Sequence, residues 1–363
     1  MTDLKLALCL PGGGASGAMF QVGALAALQD CLAGFGSDKF DCYVGTSSGA
    51  TVAAALAAGC SVERIYRAFL DPADDYFPLE RRHILRMDIG EWRRTATAAL
   101  SALGHGSKSF LGGSLRPSPS VLWDELARLY DSSPAGMFSL DGYERFLEEN
   151  FARRSVPNHF RQMPRQLRII AHELDTGAPA IFGGPDLEHV PVSRACIASM
   201  ATPPLFSPVR IGDCHYLNPA PAQVSHVDLA VELGAQVIVV INAMMPIRLS
   251  RSSDGHGGRL SLRDKGAMWI ANQANRIKLH EQLHAAIARV KRNSDVKVIL
   301  VEPEPTDGDL FLHNPANFGV RRSILEYAYR YTLESVRQSV ELGEFPLGET
   351  KWLLKTLHPS ASA

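Results

Sequence analysis

The sequence predicts an α/β fold with a mainly parallel central sheet covered by helices. Two strand-like apolar runs, LKLALCL (4–10) and FDCYVG (40–45), are each followed by a helical segment, over 15–32 and 48–59. Runs this short and apolar are typical of strands buried on both faces. Strands and helices that alternate at this spacing favour a parallel sheet. Further strand-like runs occur at 166–174, 179–184, 235–242 and 296–303.

The two early helical segments have different sequence patterns. In the first, Met19, Val22, Leu25 and Leu28 recur at steps of three residues, which is the spacing of one helix face. The second consists mainly of small residues and is closed by Gly59, a residue type favoured just beyond a helix end. Both patterns predict helices that pack closely on the sheet.

The alternation of strands and helices is interrupted at about residues 71–160. This stretch is richer in charge, Pro and Ser, and it contains helical pieces such as ILRMDIGEWRRTATAALSAL (84–103) and LDGYERFLEENFARR (140–154). We therefore predict one α/β domain over 1–345 with a helical cap inserted at about 71–160. Residues 346–363 are expected to form a C-terminal tail.

The last third of the chain adds two long predicted helices, at roughly 262–292 and 319–339. Two segments have compositions typical of disorder, SRSSDGHGG (250–258) and the terminal HPSASA (358–363). We expect the helices to cover the sheet and these segments to stay outside the core.

Composition restricts the classes of partner and compartment. The chain has 363 residues and a formal net charge of -1, so its charge does not indicate nucleic acid as the main partner. Its six cysteines occur singly, with no CxxC, which favours buried free thiols in a reducing compartment. The N-terminal apolar run is too short for a signal peptide, and no apolar window of about 18 residues occurs. These features predict a cytoplasmic protein.

Three glycines follow the first strand-like run, and several functions are possible for them. A phosphate-binding P-loop would end in Gly-Lys-Ser/Thr, which is missing here. Gly12, Gly14 and Gly17 match the dinucleotide pattern G-x-G-x-x-G, but that fold needs an acidic residue at the end of the second strand. Asp41 begins that strand and Gly45 ends it, so a nucleotide site is disfavoured.

The second strand-like run leads into GTSSG, a G-x-S-x-G pattern over 45–49. Between a strand and a small-residue helix, this pattern is typical of a nucleophile elbow, with Ser47 as the nucleophile and Gly45 and Gly49 allowing the sharp turn. The alternative is a chance match in a glycine-rich turn.

The glycine loop and the serine motif explain each other. A serine that attacks a carbonyl needs N–H donors where negative charge develops. The amides of Gly13 and Gly14, at the end of the neighbouring strand, could supply them, since both motifs follow adjacent parallel strands. The glycines are therefore predicted to form an oxyanion hole.

At these motifs the sequence resembles the patatin-like phospholipases. GGGASG (12–17) matches the family's oxyanion loop and GTSSG (45–49) its elbow, within a resemblance that covers roughly residues 5–245. The resemblance implies a three-layer α/β/α sandwich and a Ser–Asp dyad that cleaves acyl esters of lipids without a cofactor or metal. It assigns Ser47 as nucleophile and the glycines Gly12, Gly13, Gly14 and Gly17 to the oxyanion hole. Ser16 stands where the family often has Arg or Lys.

The family's third motif, Asp-Gly-Gly or Asp-Gly-Ala, is altered. The family's aspartate would fall at position 218, where the sequence reads Asn218-Pro219-Ala220. A carboxamide cannot act as a base near neutral pH, although it is nearly isosteric with a carboxylate. Three explanations remain open: a deliberate Asp→Asn change, a natural non-catalytic protein that binds lipid or a partner, or another base such as Asp213. We predict a serine acyl hydrolase that is impaired or inactive as written.

Two further motifs offer other chemistry. His215 and His226 flank position 218, so a Ser-His-Asp triad is an alternative. HEQLH (280–284) matches the zinc-protease pattern HExxH. However, we place Ile277, Leu283, Ile287 and Val290 on the buried stripe of this helix, with His280 and His284 at its margin, and no third ligand follows at the metzincin spacing. We therefore predict no metal site there.

The cap segment 81–103 mixes arginines with Ile, Leu, Met and Trp. One interpretation is a surface that contacts anionic lipid head groups, and the alternative is an ordinary solvated helix face. Trp92 and Phe77 could line an acyl pocket or pack the cap. The predicted partner is a lipid or other acyl ester, with peripheral membrane contact through the cap.

Overall fold

A computed structural model describes residues 4–71, 73–97, 133–219, 226–249, 261–304, 320–350 and 352–355, without the side chains of 348 and 349. Three sequence predictions fall outside the described residues. They are the end of the predicted cap helix (98–103), the SRSSDGHGG segment (250–258) and the tail HPSASA (358–363).

Twelve strands are assigned in chain order among the described residues. They are β1 (Leu6–Leu10), β2 (Leu32–Ala33), β3 (Cys42–Gly45), β4 (Arg86–Met87), β5 (Phe138–Ser139), β6 (Gln166–Glu173), β7 (Pro179–Phe182), β8 (Val209–Ile211), β9 (Cys214–Leu217), β10 (Val237–Ile241), β11 (Lys297–Val301) and β12 (Leu353–Leu354). Eight of them form the central sheet, in the order β11-β10-β1-β3-β6-β9-β8, with β7 beside β6. Strands β11, β10, β1, β3 and β6 are parallel, whereas β7 and β9 pair antiparallel with β6.

The helices are numbered in the same way. They are α1 (Gly14–Cys31), α2 (Ser48–Ala57), α3 (Val62–Leu70), α4 (Arg81–Ile84), α5 (Asp141–Arg154), α6 (Val192–Met200), α7 (His226–Glu232), α8 (Ala267–Asn293), α9 (Arg321–Glu341) and α10 (Leu347–Thr350). Residues 89–97 are also helical. The predicted helix at 262–292 is thus a 3-10 turn, Leu262–Lys265, followed by α8, and the one at 319–339 is α9.

The sheet is covered on both faces, which confirms the predicted α/β class with a mainly parallel sheet. Along β1, Leu8 and Leu10 belong to one hydrophobic core, which α1, α2, α5, α6 and α9 complete. Ala7 and Cys9 belong to a second core on the other face, formed with α7 and α8. Because successive side chains of a strand point to opposite faces, strands buried on both faces read as continuous apolar runs.

The first helix is buried on nearly all sides, and the four residues predicted on its core face are buried. It lies between the sheet and α9, where a Cβ on Gly23 would come within 2.8 Å of the Ala328 Cβ. Such a close approach needs glycine. A helix that is apolar all round is expected in such a position.

The prediction for one core residue of α8 is wrong. Leu283, Ile287 and Val290 are buried as expected, but Ile277 is 46% exposed. A helix turns by about 100° per residue, so the six steps from Ile277 to Leu283 leave the two side chains about 120° apart around the helix axis. Ile277 therefore points away from the stripe that faces the sheet.

The segment predicted as a cap contributes partly to the main core. Tyr143, Phe146, Leu147 and Phe151 of α5 are buried in the core that contains α1 and α6. Phe77 packs edge-on against Phe146, with ring centroids 4.9 Å apart. This half of the segment is therefore held by apolar packing against the body of the domain.

All six cysteines are free, as predicted, and four of them are buried, whereas Cys60 and Cys214 are half-buried and differ from the prediction. Burial raises the pKa of the Cys196 thiol to about 12, which keeps it protonated. Within the described ranges, no helix has the length and apolar character needed to cross a membrane.

Candidate active site

Ser47 occupies a strained turn between β3 and α2. Its backbone has φ 55° and ψ −129°, and it is one of two non-glycine residues with positive φ in the described part of the chain. Thr46 and Ser48 beside it are buried, whereas Ser47 is half-buried. A positive φ at such a residue costs energy and is typical of a nucleophile elbow, which presents the serine side chain at the end of a strand.

The glycines on both sides of Ser47 are required by the packing of the turn. A Cβ on Gly49 would lie 2.1 Å from the Leu10 carbonyl oxygen, and one on Gly45 would lie 2.7 Å from the Ala50 Cα. Both distances are shorter than any ordinary contact, so neither position accepts a side chain without movement of backbone.

The glycine loop after β1 lies directly against Ser47. A Cβ on Gly12 would be 2.7 Å from the Ser47 Cβ and 3.3 Å from its Oγ. Gly13 and Gly14 have φ of 157° and 65°, and α1 begins at Gly14. The first amides of a helix have no partner within the helix and carry a partial positive charge. The loop therefore brings candidate oxyanion donors next to the hydroxyl.

Gly17 has a supporting position in this loop. Its amide donates to the Gly13 carbonyl at 3.0 Å. A Cβ on Gly17 would be 3.4 Å from the Gly12 carbonyl oxygen and 3.6 Å from the Ala243 Cβ, so Gly17 packs closely against both residues.

A buried histidine contacts the elbow at Thr46. The Nε2 of His226 hydrogen bonds the hydroxyl of Thr46, the residue before Ser47. Burial lowers the pKa of His226 to about 4, so the ring is neutral at neutral pH. The structure therefore brings His226 to the elbow but joins it to Thr46. No hydrogen bond between described residues connects His226 or His215 to Ser47.

Position 218 lies beside the elbow, and Ser199 of α6 connects the two. The Ser47 amide donates to Ser199 Oγ at 2.8 Å, and Ser199 Oγ donates to the Ile170 carbonyl at 2.6 Å. The Asn218 Nδ2 donates to the Ser199 carbonyl at 2.6 Å, and the Asn218 amide donates to the Ala201 carbonyl at 2.9 Å. Asn218 is thus fixed by two backbone carbonyls, one in α6 and one just after its end.

The carboxamide of Asn218 acts as a donor in this arrangement. Its partner is a backbone carbonyl, which can only accept a hydrogen bond. Among the described residues, no hydrogen bond joins Asn218 to the Ser47 hydroxyl. Ser199 could not be predicted from the sequence, because a serine in the run ACIASM has no pattern that indicates a distant backbone partner.

The other candidate base, Asp213, is exposed to solvent. It occupies the turn between β8 and β9, where Gly212 has φ 61°, and its side chain is fully exposed. Its carboxylate is 3.4 Å from Arg210. No contact in the described structure connects it to Ser47.

Trp92, the other aromatic residue considered for an acyl pocket, is exposed. Its indole Nε1 donates to the Met137 carbonyl at 3.3 Å. Its indole therefore contacts the residue before β5.

Several solved structures resemble the chain at low identity. A chain of the heterodimeric ExoU–SpcU complex from the type III secretion system of Pseudomonas aeruginosa is 16% identical, with a TM-score of 0.33, and the match covers 94% of this chain and 53% of that one. VipD from Legionella pneumophila is 12% identical, with a TM-score of 0.38 and coverage of 93% and 67%. Human GIVD cytosolic phospholipase A2 is 12% identical, with a TM-score of 0.29 and coverage of 93% and 59%. This chain thus spans about half the length of the ExoU-complex chain.

Comparison with curated protein sequences finds no match. The family model for patatin-like phospholipases matches residues 8–228, which include the glycine loop, the elbow and position 218. The match extends over more than half of the chain, which therefore belongs to the patatin-like phospholipase family.

Proposed function

We propose that this protein is a serine acyl hydrolase of lipid acyl esters, with Ser47 as nucleophile and a base position disabled by Asn218. The observation that carries the proposal is the strained backbone of Ser47 with Gly12 packed against its side chain. Close packing at Gly45 and Gly49, on both sides of Ser47, stabilises this strained conformation. Membership of the patatin-like phospholipase family supports the same reaction class.

The reaction would begin with attack of Ser47 Oγ on the ester carbonyl carbon. The oxyanion that forms would be stabilised by the amides at the start of α1, contributed by Gly13 and Gly14. Loss of the alcohol would leave an acyl-serine, which water hydrolyses. Both steps need a group that accepts a proton, and the carboxamide of Asn218 cannot do so. The chain as written should therefore react slowly.

Restoring a carboxylate at position 218 should also change its contacts. An ionised Asp cannot donate to the Ser199 carbonyl, so it would lose the bond that Asn218 makes at 2.6 Å. Two oxygens that only accept would repel each other, and the carboxylate is expected to rotate towards a donor. The hydroxyl of Ser47 is the donor that catalysis needs.

The test is hydrolysis of a short-chain nitrophenyl ester and of a phospholipid by the protein and by Asn218→Asp. Asn218→Ala serves as the matched control, because it removes the amide without supplying a base, and Ser47→Ala in the Asn218→Asp background identifies the nucleophile. We expect Asn218→Asp to be faster by about 10²-fold or more, and Ser47→Ala to abolish the gain. If the unmodified protein already hydrolyses these esters rapidly, the base is not at position 218.

A non-catalytic binding protein of the same fold is the second candidate. It is favoured by the donor role of the Asn218 carboxamide, a contact that a carboxylate could not make. In this case Asn218→Asp and the unmodified chain would both be inert towards esters and towards a fluorophosphonate. Both would still bind fatty acid or phospholipid in an equilibrium assay.

The proposal includes peripheral contact with anionic membranes through residues 81–97. Ile89 and Met87 are 67% and 55% exposed, and Leu85 and Trp92 are exposed beside them. Arginines on the same segment are exposed as well: Arg81, Arg82, Arg86, Arg93 and Arg94. Exposed apolar side chains among cations are typical of surfaces that bind anionic lipid.

Vesicle sedimentation tests this contact. Binding to phosphatidylserine-containing vesicles should exceed binding to phosphatidylcholine alone and should weaken in Ile89→Asp. Ile270→Asp is the matched control, because Ile270 is also half-exposed but lies on α8. Equal binding of the two variants would contradict the assignment of this surface.

A further inference from the structure

The HEQLH motif on α8 forms part of a cluster with a residue from the sheet. His280 and His284 lie one helical turn apart on the same face, with ring centroids 4.3 Å apart. The third group is Glu302, which follows β11. Glu302 lies 18 residues after His284 and outside the metzincin spacing, so the motif alone does not indicate it as a third ligand.

The atoms of this cluster are close enough for one metal ion. The Glu302 Oε2 lies 2.8 Å from His284 Nε2 and 3.7 Å from His280 Nε2. One ligand atom from each of the three residues lies within 4.8 Å of the others. Ligand atoms of a tetrahedral site with bonds near 2.1 Å are separated by roughly 3.4 Å. Small rotations of the three side chains would bring the separations to that value.

The carboxylate of Glu302 is held in place by a second residue. Asn242, which follows β10, donates from Nδ2 to the other carboxylate oxygen, Oε1, at 2.6 Å. The Asn242 amide in turn donates to the Val301 carbonyl at 2.9 Å. Outer contacts of this kind orient metal-binding carboxylates and leave the second oxygen available to the ion.

The cluster is open on one side. The side chain of Glu302 is 12% exposed and that of His280 is 20% exposed, whereas that of His284 is 45% exposed. The three side chains would coordinate an ion bound here on its protein-facing side. One coordination position would face solvent.

We propose that His280, His284 and Glu302 bind a divalent transition-metal ion of the zinc class. Two imidazoles and one carboxylate suit Zn²⁺, Co²⁺ or Ni²⁺, whereas Mg²⁺ and Ca²⁺ prefer oxygen ligands alone. Glu281 of the HEQLH motif is exposed and does not join the cluster. The ion would link α8 to the edge strand β11, and this site is independent of the acyl transfer proposed above.

The test is titration of the 363-residue chain with Co²⁺, followed by visible absorption and circular dichroism. His280→Gln, His284→Gln and Glu302→Gln remove the ligands one at a time. His159→Gln, an exposed histidine elsewhere, and Glu281→Gln on the same helix are the matched controls. Asn242→Ala tests the outer contact.

We expect one Co²⁺ per chain, with a spectrum free of thiolate charge-transfer bands, and competition by Zn²⁺ but not by Mg²⁺. Each ligand variant should lose this binding while keeping its dichroism, and Asn242→Ala should weaken it by about 10- to 100-fold. Both controls should bind as the unmodified protein does. Three results would overturn the proposal: no stoichiometric binding, unchanged binding in His280→Gln and His284→Gln, or a thiolate spectrum that indicates cysteine ligands.

Discussion

The two halves of the candidate active site are built differently. The nucleophile half consists of the glycine loop and the elbow, where Gly12 and Gly49 leave no space for a Cβ and Ser47 adopts a positive φ. The base half consists of Asn218, whose carboxamide and amide donate to carbonyls at the end of α6. The first half is specified by steric packing and the second by polar contacts.

This difference implies that the proposed site would keep its shape without a base at position 218. Backbone packing at the elbow does not depend on charge, so a change at position 218 leaves it intact. The carboxamide has nearly the volume of a carboxylate and adds a donor, which the Ser199 carbonyl accepts. The backbone shape of the proposed site and its proton-accepting group can therefore change independently. Four predictions test this independence.

The largest effect is expected from Gly49→Ala in the nucleophile half. Its Cβ would lie 2.1 Å from the Leu10 carbonyl oxygen, so the backbone of β1 or α2 must move. We expect the free energy of unfolding to fall by more than about 3 kcal/mol, measured by urea denaturation. Gly90→Ala is the control, since its Cβ would meet nothing closer than 3.4 Å. If the two variants unfold at the same urea concentration, steric packing does not define this half.

Acidification should weaken the nucleophile half through His226. Burial lowers its pKa from 6.5 to about 4, so the unfolded chain binds the proton more readily than the folded one. The stabilisation is complete above pH 6.5 and is lost as the pH falls towards 4, by about 2 kcal/mol between pH 7.5 and 5.

Urea denaturation of the protein and of His226→Gln at pH 7.5 and 5 measures this contribution. Gln can still hydrogen bond Thr46 but does not titrate, so the loss on acidification should be smaller in the variant. Burial also lowers the pKa of His172, and subtracting the variant removes that shared contribution. An equal loss in both proteins would contradict the assignment to His226.

Ser199→Ala should affect the connection between the two halves. It leaves the Ser47 amide without its acceptor, which should cost about 1–3 kcal/mol. We also expect fluorophosphonate labelling of Ser47, measured in the Asn218→Asp background, to slow by about tenfold, equivalent to about 1.4 kcal/mol.

Ser193→Ala is the matched control for this variant. Ser193 is buried in the same helix and accepts a hydrogen bond from Asn158 at 3.0 Å. It should cost similar stability but leave labelling unchanged. If both variants slow labelling equally, Ser199 acts only through general stability.

The smallest effect is expected from Asp213→Ala. Its side chain is fully exposed, and its one ion pair among the described residues is with Arg210 at 3.4 Å. The free energy of unfolding should therefore change by less than about 0.5 kcal/mol. Ester hydrolysis in the Asn218→Asp background should not change. A large loss of activity would instead identify Asp213 as the base.

The motifs of the nucleophile half could be predicted because they are local. Five consecutive residues, Gly45 to Gly49, make the turn, and the glycine loop follows a strand that the apolar pattern reveals. Residues that complete the site were missed because their partners are distant in sequence. Ser199 lies 152 residues from Ser47, and His226 lies 180 residues from Thr46.

The sequence by itself determined the α/β class, the order of the main strands and helices, and the identity of the serine motif. These follow from apolar periodicity and from the conformational freedom of glycine, which act over a few residues. Only the tertiary structure decided what contacts Asn218, which histidine reaches the elbow, and that Glu302 approaches His280 and His284. Such contacts depend on which strand ends and helix faces the fold brings together, and local sequence patterns do not encode that.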